Sequence, residues 1–195
     1  MTAAAAAQDP EAGLGAVCDE TLLDRAAAGD STAWDLLVDR HTGLLWAITR
    51  GHGLSITDAE DTVLTTWSLL VQQLDRIRER NPVGIWLATT ARREALRRLA
   101  RRQSQIQTTD HDIPDQSHST VRDAGPQAAF LGAVDLLLPK QRLLLHVLST
   151  EPRPTDDQIS AAVNMPISEI PSARAHALHQ LRQVLTPADV RRRPG

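Results

Sequence analysis

The chain has 195 residues, 42% of them hydrophobic, and a formal net charge of -3. That is enough to bury sizeable cores, in one large domain or two small ones. A lone Cys18 excludes an internal disulfide framework and a cysteine metal cluster, and fits a reducing cytoplasm. No apolar run approaches the roughly 20 residues that span a bilayer, and no basic leader opens the chain, so a soluble, cytoplasmic protein without membrane insertion is expected. Trp34, Trp46, Trp67 and Trp86 all fall in the first half and Phe130 in the second, which suggests two cores.

Residues 1–18, alanine-rich and without amphipathic period, read as a disordered tail. A first helix is predicted from about Glu20 to Ala28, closed by Gly29. Asp30 or Ser31 then caps a longer helix with Trp34, Leu37, Val38, His41, Leu45 and Ile48 on one face, ended by Gly51-His52-Gly53. Thr57-Asp58-Ala59-Glu60 reads as a capping box for a helix to about Leu74, with Val63, Trp67, Leu70 and Leu74 on one side. Asp75 to Arg80 is expected to be a loop. Asn81-Pro82 supplies the cap and first turn of the next helix.

That helix, WLATTARREALRRLARR from Trp86 to Arg102, organises the rest. Counted from Arg76, nine arginines meet only Glu79 and Glu94, in a chain that is acidic overall. Trp86, Thr89, Thr90, Arg93, Arg97 and Arg101 follow helical spacing on one face, while Leu87, Ala91, Ala95, Leu96 and Leu99 mark the side to be buried. Clustered cations are what phosphate binding requires. A charge run also serves simply to solvate a helix.

Residues 103–125 are polar and without period, and read as a linker, too long for a loop inside a compact domain. Two domains follow, 19–102 and 126–186, with a short tail at 187–195. In the second, Ala129, Val134, Leu137 and Leu138 suggest a short helix, and Pro139 begins another. Thr155-Asp156-Asp157-Gln158 caps a brief helix ending near Val163, Asn164-Met165-Pro166 turns, and a last helix runs from Ser168 or Pro171 to Leu185. A short helix, a tight turn and a longer helix make a helix-turn-helix, whose second helix can enter a major groove. Glu169, Ser172, Arg174, His176, His179 and Arg182 are its exposed candidates, with Arg174 the one expected to reach a base or a phosphate. His176 and His179 lack a carboxylate or thiol companion nearby, so no metal is expected. No nucleophile motif, glycine-rich phosphate loop or acid pair points to an enzyme, and no cofactor is implied.

Three stretches, AGDSTAWDLLVDRHTGLLWAIT, DAEDTVLTTWSLLVQQLDRIRERNPVGIWLATTARREALRRL and LPKQRLLLHVLSTEPRPTDDQISAAVNMPISEIPSARAHALHQLR, resemble the extracytoplasmic-function (ECF) sigma factors. The resemblance implies an all-α protein of two small helical domains, region 2 and region 4, joined by a flexible linker. It implies that the helix from Asp58 binds the clamp helices of the RNA polymerase largest subunit, with Asp58, Asp61, Trp67, Leu70 and Gln73 as contact or support positions. Arg76, Arg78, Arg80, Asn81, Thr90, Arg93, Arg97 and Arg101 would hold the melted −10 element, and Ser168, Glu169, Ser172, Arg174 and His176 would read the −35 element. Core polymerase, including the flap of its second-largest subunit, and promoter DNA are the implied partners, with an anti-sigma factor a further one. The sequence departs from the family at Leu64 and Thr65, where glutamine and an acid are common, and at Ser168-Glu169-Ile170-Pro171-Ser172. The competing reading is a stand-alone helix-turn-helix DNA-binding regulator with an N-terminal protein-interaction domain.

Overall fold

The computed structural model describes residues 17–78, 82–108, 134 and 136–185, and every regular element among them is helical. In chain order they are α1 (Asp19–Ala27), α2 (Ser31–Gly51), α3 (Ile56–Gln72), α4 (Leu74–Arg78), α5 (Val83–Thr108), α6 (Pro139–Leu148), α7 (Asp156–Val163) and α8 (Ile170–Leu185), with a 3₁₀ turn at Ile167–Glu169 before α8. The fold is all-α, with two helical halves.

Local chemistry sets the boundaries. Asp30 caps α2 by accepting from the backbone N–H groups of Thr32 and Ala33. At α3 the cap is Ser55, two residues earlier than the Thr57 box expected from sequence. Its hydroxyl accepts from the Asp58 N–H and donates to the Asp58 carboxylate at 2.8 Å. Starting there lets Leu54 pack with Ala59 and Ala95 in a small cluster of their own. Thr155 and Gln158 form the expected capping box of α7, and Asn164 takes the left-handed conformation that ends it.

Three other expectations are corrected. Part of the loop assigned to 75–80 is helical: α4 forms because Ile77 buries to 3% exposure. The helix α5 runs through Thr108, so the first residues assigned to the linker continue it; the rest of 103–125 lies mostly outside the described residues. Val17, assigned to the N-terminal tail, packs against the core, and its carbonyl accepts from Arg40; residues 1–16 and 187–195 lie outside the description.

Nor do the halves keep separate cores. One cluster joins Leu37, Leu45 and Ile48 of α2, Leu70 of α3 and Leu87 of α5 to Leu144 and Val147 of α6 and Ile159 of α7, all buried. Here α6 packs on α2 and α7 on α5. Glycines make this approach possible. A Cβ at Gly51 would stand 2.8 Å from the Leu143 Cα, one at Gly43 3.2 Å from Thr150 Cγ2, and one at Gly84 2.0 Å from the Gln158 amide. Arg142 then reaches across, its Nε donating to the Gly51 carbonyl at 3.0 Å, where a cation meets the negative end of α2.

At this seam the packing is good but the polar accounting is incomplete. The buried Nε2 of His52 and Nε of Arg92 find no partner, and unpaired groups of this kind each cost about 1–3 kcal/mol. Burial first, then the Arg92 and Arg142 charges, push His52 down to a pKa of about 4. On the far side of α2, His41 donates to Asp19 at 3.0 Å beside Arg40. Burial works to raise the Asp19 carboxyl, but its bonds to His41 and Arg40 outweigh that and hold it below the usual range.

Candidate nucleic-acid interface

The arginine helix divides along its length and around its axis. In its first half Val83, Leu87, Ala88 and Ala91 are buried, beneath α7 and against α2. Beyond Ala91 one side stays packed at Ala95, while on the other Arg93, Arg97 and Arg101 stand exposed at four-residue intervals. Eight residues of helix place the outer two about 12 Å apart along the axis, a column of cations suited to successive phosphates. Arg97 also bonds Glu94. Thr90, expected on this face, is buried at 9% exposure, because the helix turns that position toward the packed side. Leu96, expected inside, is 45% exposed. Arg76 is exposed on α4. The Arg78 side chain, Arg80 and Asn81 lie outside the described residues, while Pro82 opens α5 by accepting from the Ile85 and Trp86 N–H groups.

A residue absent from the sequence expectation ties this helix to α3. Arg98 donates to Asp58 and to Asp61, each at 3.0 Å. The Ser55 and Arg98 hydrogen bonds lower the Asp58 pKa, and the same bridge, led by Asp61, raises that of Arg98. The helix that starts at DAED and the helix that carries the cations are thus held in fixed register.

On α3 the five positions expected to serve polymerase separate into two kinds. Asp58 and Asp61 reach the surface through the Arg98 bridge. Trp67 and Leu70 are buried at 9% and 0% exposure, with Trp67 edge-on to Trp34 at 5.7 Å between ring centroids; they support the helix from beneath. Gln73 closes it, its N–H bonding the Leu69 and Leu70 carbonyls. Outward-facing instead are Asp61, Leu64, Ser68 and Val71, with Leu64 at 65% and Val71 at 57% exposure. Their three- and four-residue spacing is legible in sequence once the opposite face is assigned to the core.

In the second half, α7, its turn and α8 form the helix-turn-helix. Ile170, Ala177 and Leu181 bury one face of α8, leaving Ser172, Arg174 and His176 exposed, with Ser168 and Glu169 exposed in the preceding 3₁₀ turn. Pro171 sits in the first turn, where its missing N–H is tolerated. Ser172 donates to the Glu169 carbonyl, and Gln180 donates to His176 at 3.2 Å. Between α6 and α8 lies an open groove of about 490 Å³, with Lys140, Glu169 and His176 at its polar edge and Leu144 and Met165 in its apolar wall. Among the described residues no three His, Cys, Asp or Glu side chains gather as a metal set.

Residues 37–105, which hold α3, α4 and most of α2 and α5, match the family described as Sigma-70 region 2. The match covers about a third of the chain. The chain's fold is that of the ECF sigma factors, as the sequence resemblance implies. The structure of CnrH in complex with the cytosolic domain of CnrY is similar at a TM-score of 0.58 and 20% identity, covering 86% of this chain and 96% of that one. The sigma factor RpoE of Bartonella quintana, in complex with the anti-sigma factor NepR, is similar at 0.57 and 21% identity, covering 77% of this chain and 96% of its own. No curated protein matches the sequence. Both the outward α3 face and the arginine column lie within the matched residues 37–105.

Proposed function

We propose that the chain is a promoter-specificity subunit of cytoplasmic RNA polymerase, acting by binding and without a reaction of its own. It joins core polymerase through the outward face of α3, docks region 2 on the −10 element and region 4 on the −35 element, and assists strand opening. The observation that carries this is the exposed column Arg93, Arg97 and Arg101 inside a matched region 2, rigidly coupled through Arg98 to the α3 face. Cations along the backbone give affinity for a separated strand, where aromatic and arginine planes can also stack on bases. Asp61 with the apolar Leu64 and Val71 offers a mixed surface of the kind that protein partners cover. Both structural neighbours are seen with a protein bound, the cytosolic domain of CnrY or the anti-sigma factor NepR, and we extend the expectation of an inhibitory protein partner to this chain.

The test is retention of core polymerase by the immobilised protein. Wild type is expected to retain it and a Leu64→Asp, Val71→Asp variant to lose it while keeping its helical circular dichroism. Failure of the wild type, together with tight binding of duplex DNA by the protein alone, would favour a stand-alone regulator instead.

A further inference from the structure

Where α2 ends, the chain gathers cations without acids. We propose that the corner formed by His52, Arg92 and Arg142 binds a phosphate dianion, free or as the terminal group of a small phosphate monoester; this does not depend on the promoter reading above.

The three side chains arrive from three directions, and each is half-buried with one side open to solvent. His52 caps the end of α2, between Gly51 and Gly53. Arg142 comes from α6. Its Nε donates to the Gly51 carbonyl at 3.0 Å, and its guanidinium covers Gly53, where a Cβ would stand 2.9 Å from Nη2. Gly53 also has a φ of +82°, so the turn has both the shape and the room that this guanidinium needs. Arg92 comes from α5. Leu54 packs with Ala95, which lies three residues beyond Arg92 and so on the same face. The charges of Arg92 and Arg142 both act on His52, and among the described residues no carboxylate opposes them there.

Compensation within the protein is incomplete. Among the described residues neither Arg92 nor Arg142 has a carboxylate partner. The C-terminus of α2 supplies about half a negative charge, against the full charges of Arg92, Arg142 and Arg50, the last of which donates to the Leu54 carbonyl. Solvent balances cations on an open face, but the His52 Nε2 and the Arg92 Nε are buried and without partners.

A phosphate dianion matches this set. It brings close to two negative charges and several acceptor oxygens, and its bonds to guanidinium belong to the strong, charge-assisted class. Arg142 spends only its Nε on Gly51, which leaves its Nη groups for a ligand. His52 is neutral near pH 7 and carries one N–H, which donates to the same anion when the proton is on Nε2. A DNA diester has a single charge and two bulky substituents, which suit the open Arg93, Arg97 and Arg101 better than a corner with buried donors.

The test follows the imidazole signals of the full chain by NMR, with the His52 signal assigned by its loss in His52→Gln. Inorganic phosphate, a 5′-mononucleotide, sodium chloride and duplex DNA are added in separate titrations at constant ionic strength. Saturable movement of the His52 signal, half-complete in the millimolar range, is expected with at least one of the two phosphates, and the tighter of them distinguishes a free ion from an ester. Arg92→Gln and Arg142→Gln should each weaken that response by about tenfold or more, as the loss of a charge-assisted bond implies. No saturable movement with either phosphate, movement with duplex DNA alone, or unaltered affinity in the arginine variants overturns the proposal. Should one arginine variant fail to fold, the other decides. Wild type also decides without them: chloride should leave His52 unmoved, and equal movement by chloride and phosphate overturns the proposal.

Discussion

Helices α5 and α8 are both amphipathic and both partly buried, yet the faces they expose differ in charge. The exposed face of α5 carries Arg93, Arg97 and Arg101. The leading face of α8 offers Arg174 alone among Ser172, His176 and the acidic Glu169. Phosphate attraction depends on the number of cations and base reading on their placement. In the proposed role the first helix supplies affinity, and the second at most a few directed contacts.

Removing the column should have the largest effect. Arg93→Ala with Arg97→Ala and Arg101→Ala is expected to lower promoter DNA affinity by about 100-fold or more and to reduce the slope of log affinity against log salt by about 2, as three phosphate contacts on a single strand imply. Thermal stability should hardly change, because all three are surface positions. By contrast, Trp67→Ala should cost about 3–5 kcal/mol of stability, measured by denaturant unfolding, because the ring is part of the core against Trp34.

A smaller effect is expected at the seam as pH falls. His52 has a folded pKa of about 4 against an ordinary 6.5, so between these values the unfolded chain binds more protons than the folded one. Stability should be full above pH 6.5 and decline as pH falls toward 4, by about 2–3 kcal/mol after allowing for partial solvent access. His52→Gln should flatten that slope in a series of unfolding curves. On α8 the effects are smallest. Arg174→Ala should weaken duplex binding by about tenfold, near the lower end of a single base or phosphate contact. Glu169→Gln should strengthen it severalfold by removing a charge that repels phosphate. If Arg174→Ala matched the triple variant in both affinity and salt slope, the contrast between the helices would collapse.

The sequence was a good guide where chemistry is local. Caps at Asp30 and Thr155, the helix α6 from Pro139 and the exposure of Arg93, Arg97 and Arg101 all follow from spacing and turn chemistry. Position within a turn was harder: Thr90 and Leu96 exchange their expected environments because α5 is packed on two sides in its first half, so its buried stripe is wider than one face. Trp67 and Leu70 were legible as apolar, but not as support rather than contact, since an apolar side chain in sequence carries no sign of which surface will cover it. Least legible was the seam. Gly51 reads locally as a helix stop, and only the approach of Leu143 reveals it as a packing surface. Arg98 was hidden among five other arginines, and its role depends on acids 37 and 40 residues away.

The central claim is most directly tested by transcription from a panel of genomic promoter fragments with purified core polymerase, comparing wild type with the Arg93→Ala, Arg97→Ala, Arg101→Ala variant. Promoter-dependent transcripts with wild type, and their loss in a variant that still retains core polymerase, are what the account predicts. Equal transcription by the two proteins, or none above core polymerase alone with wild type, would contradict it.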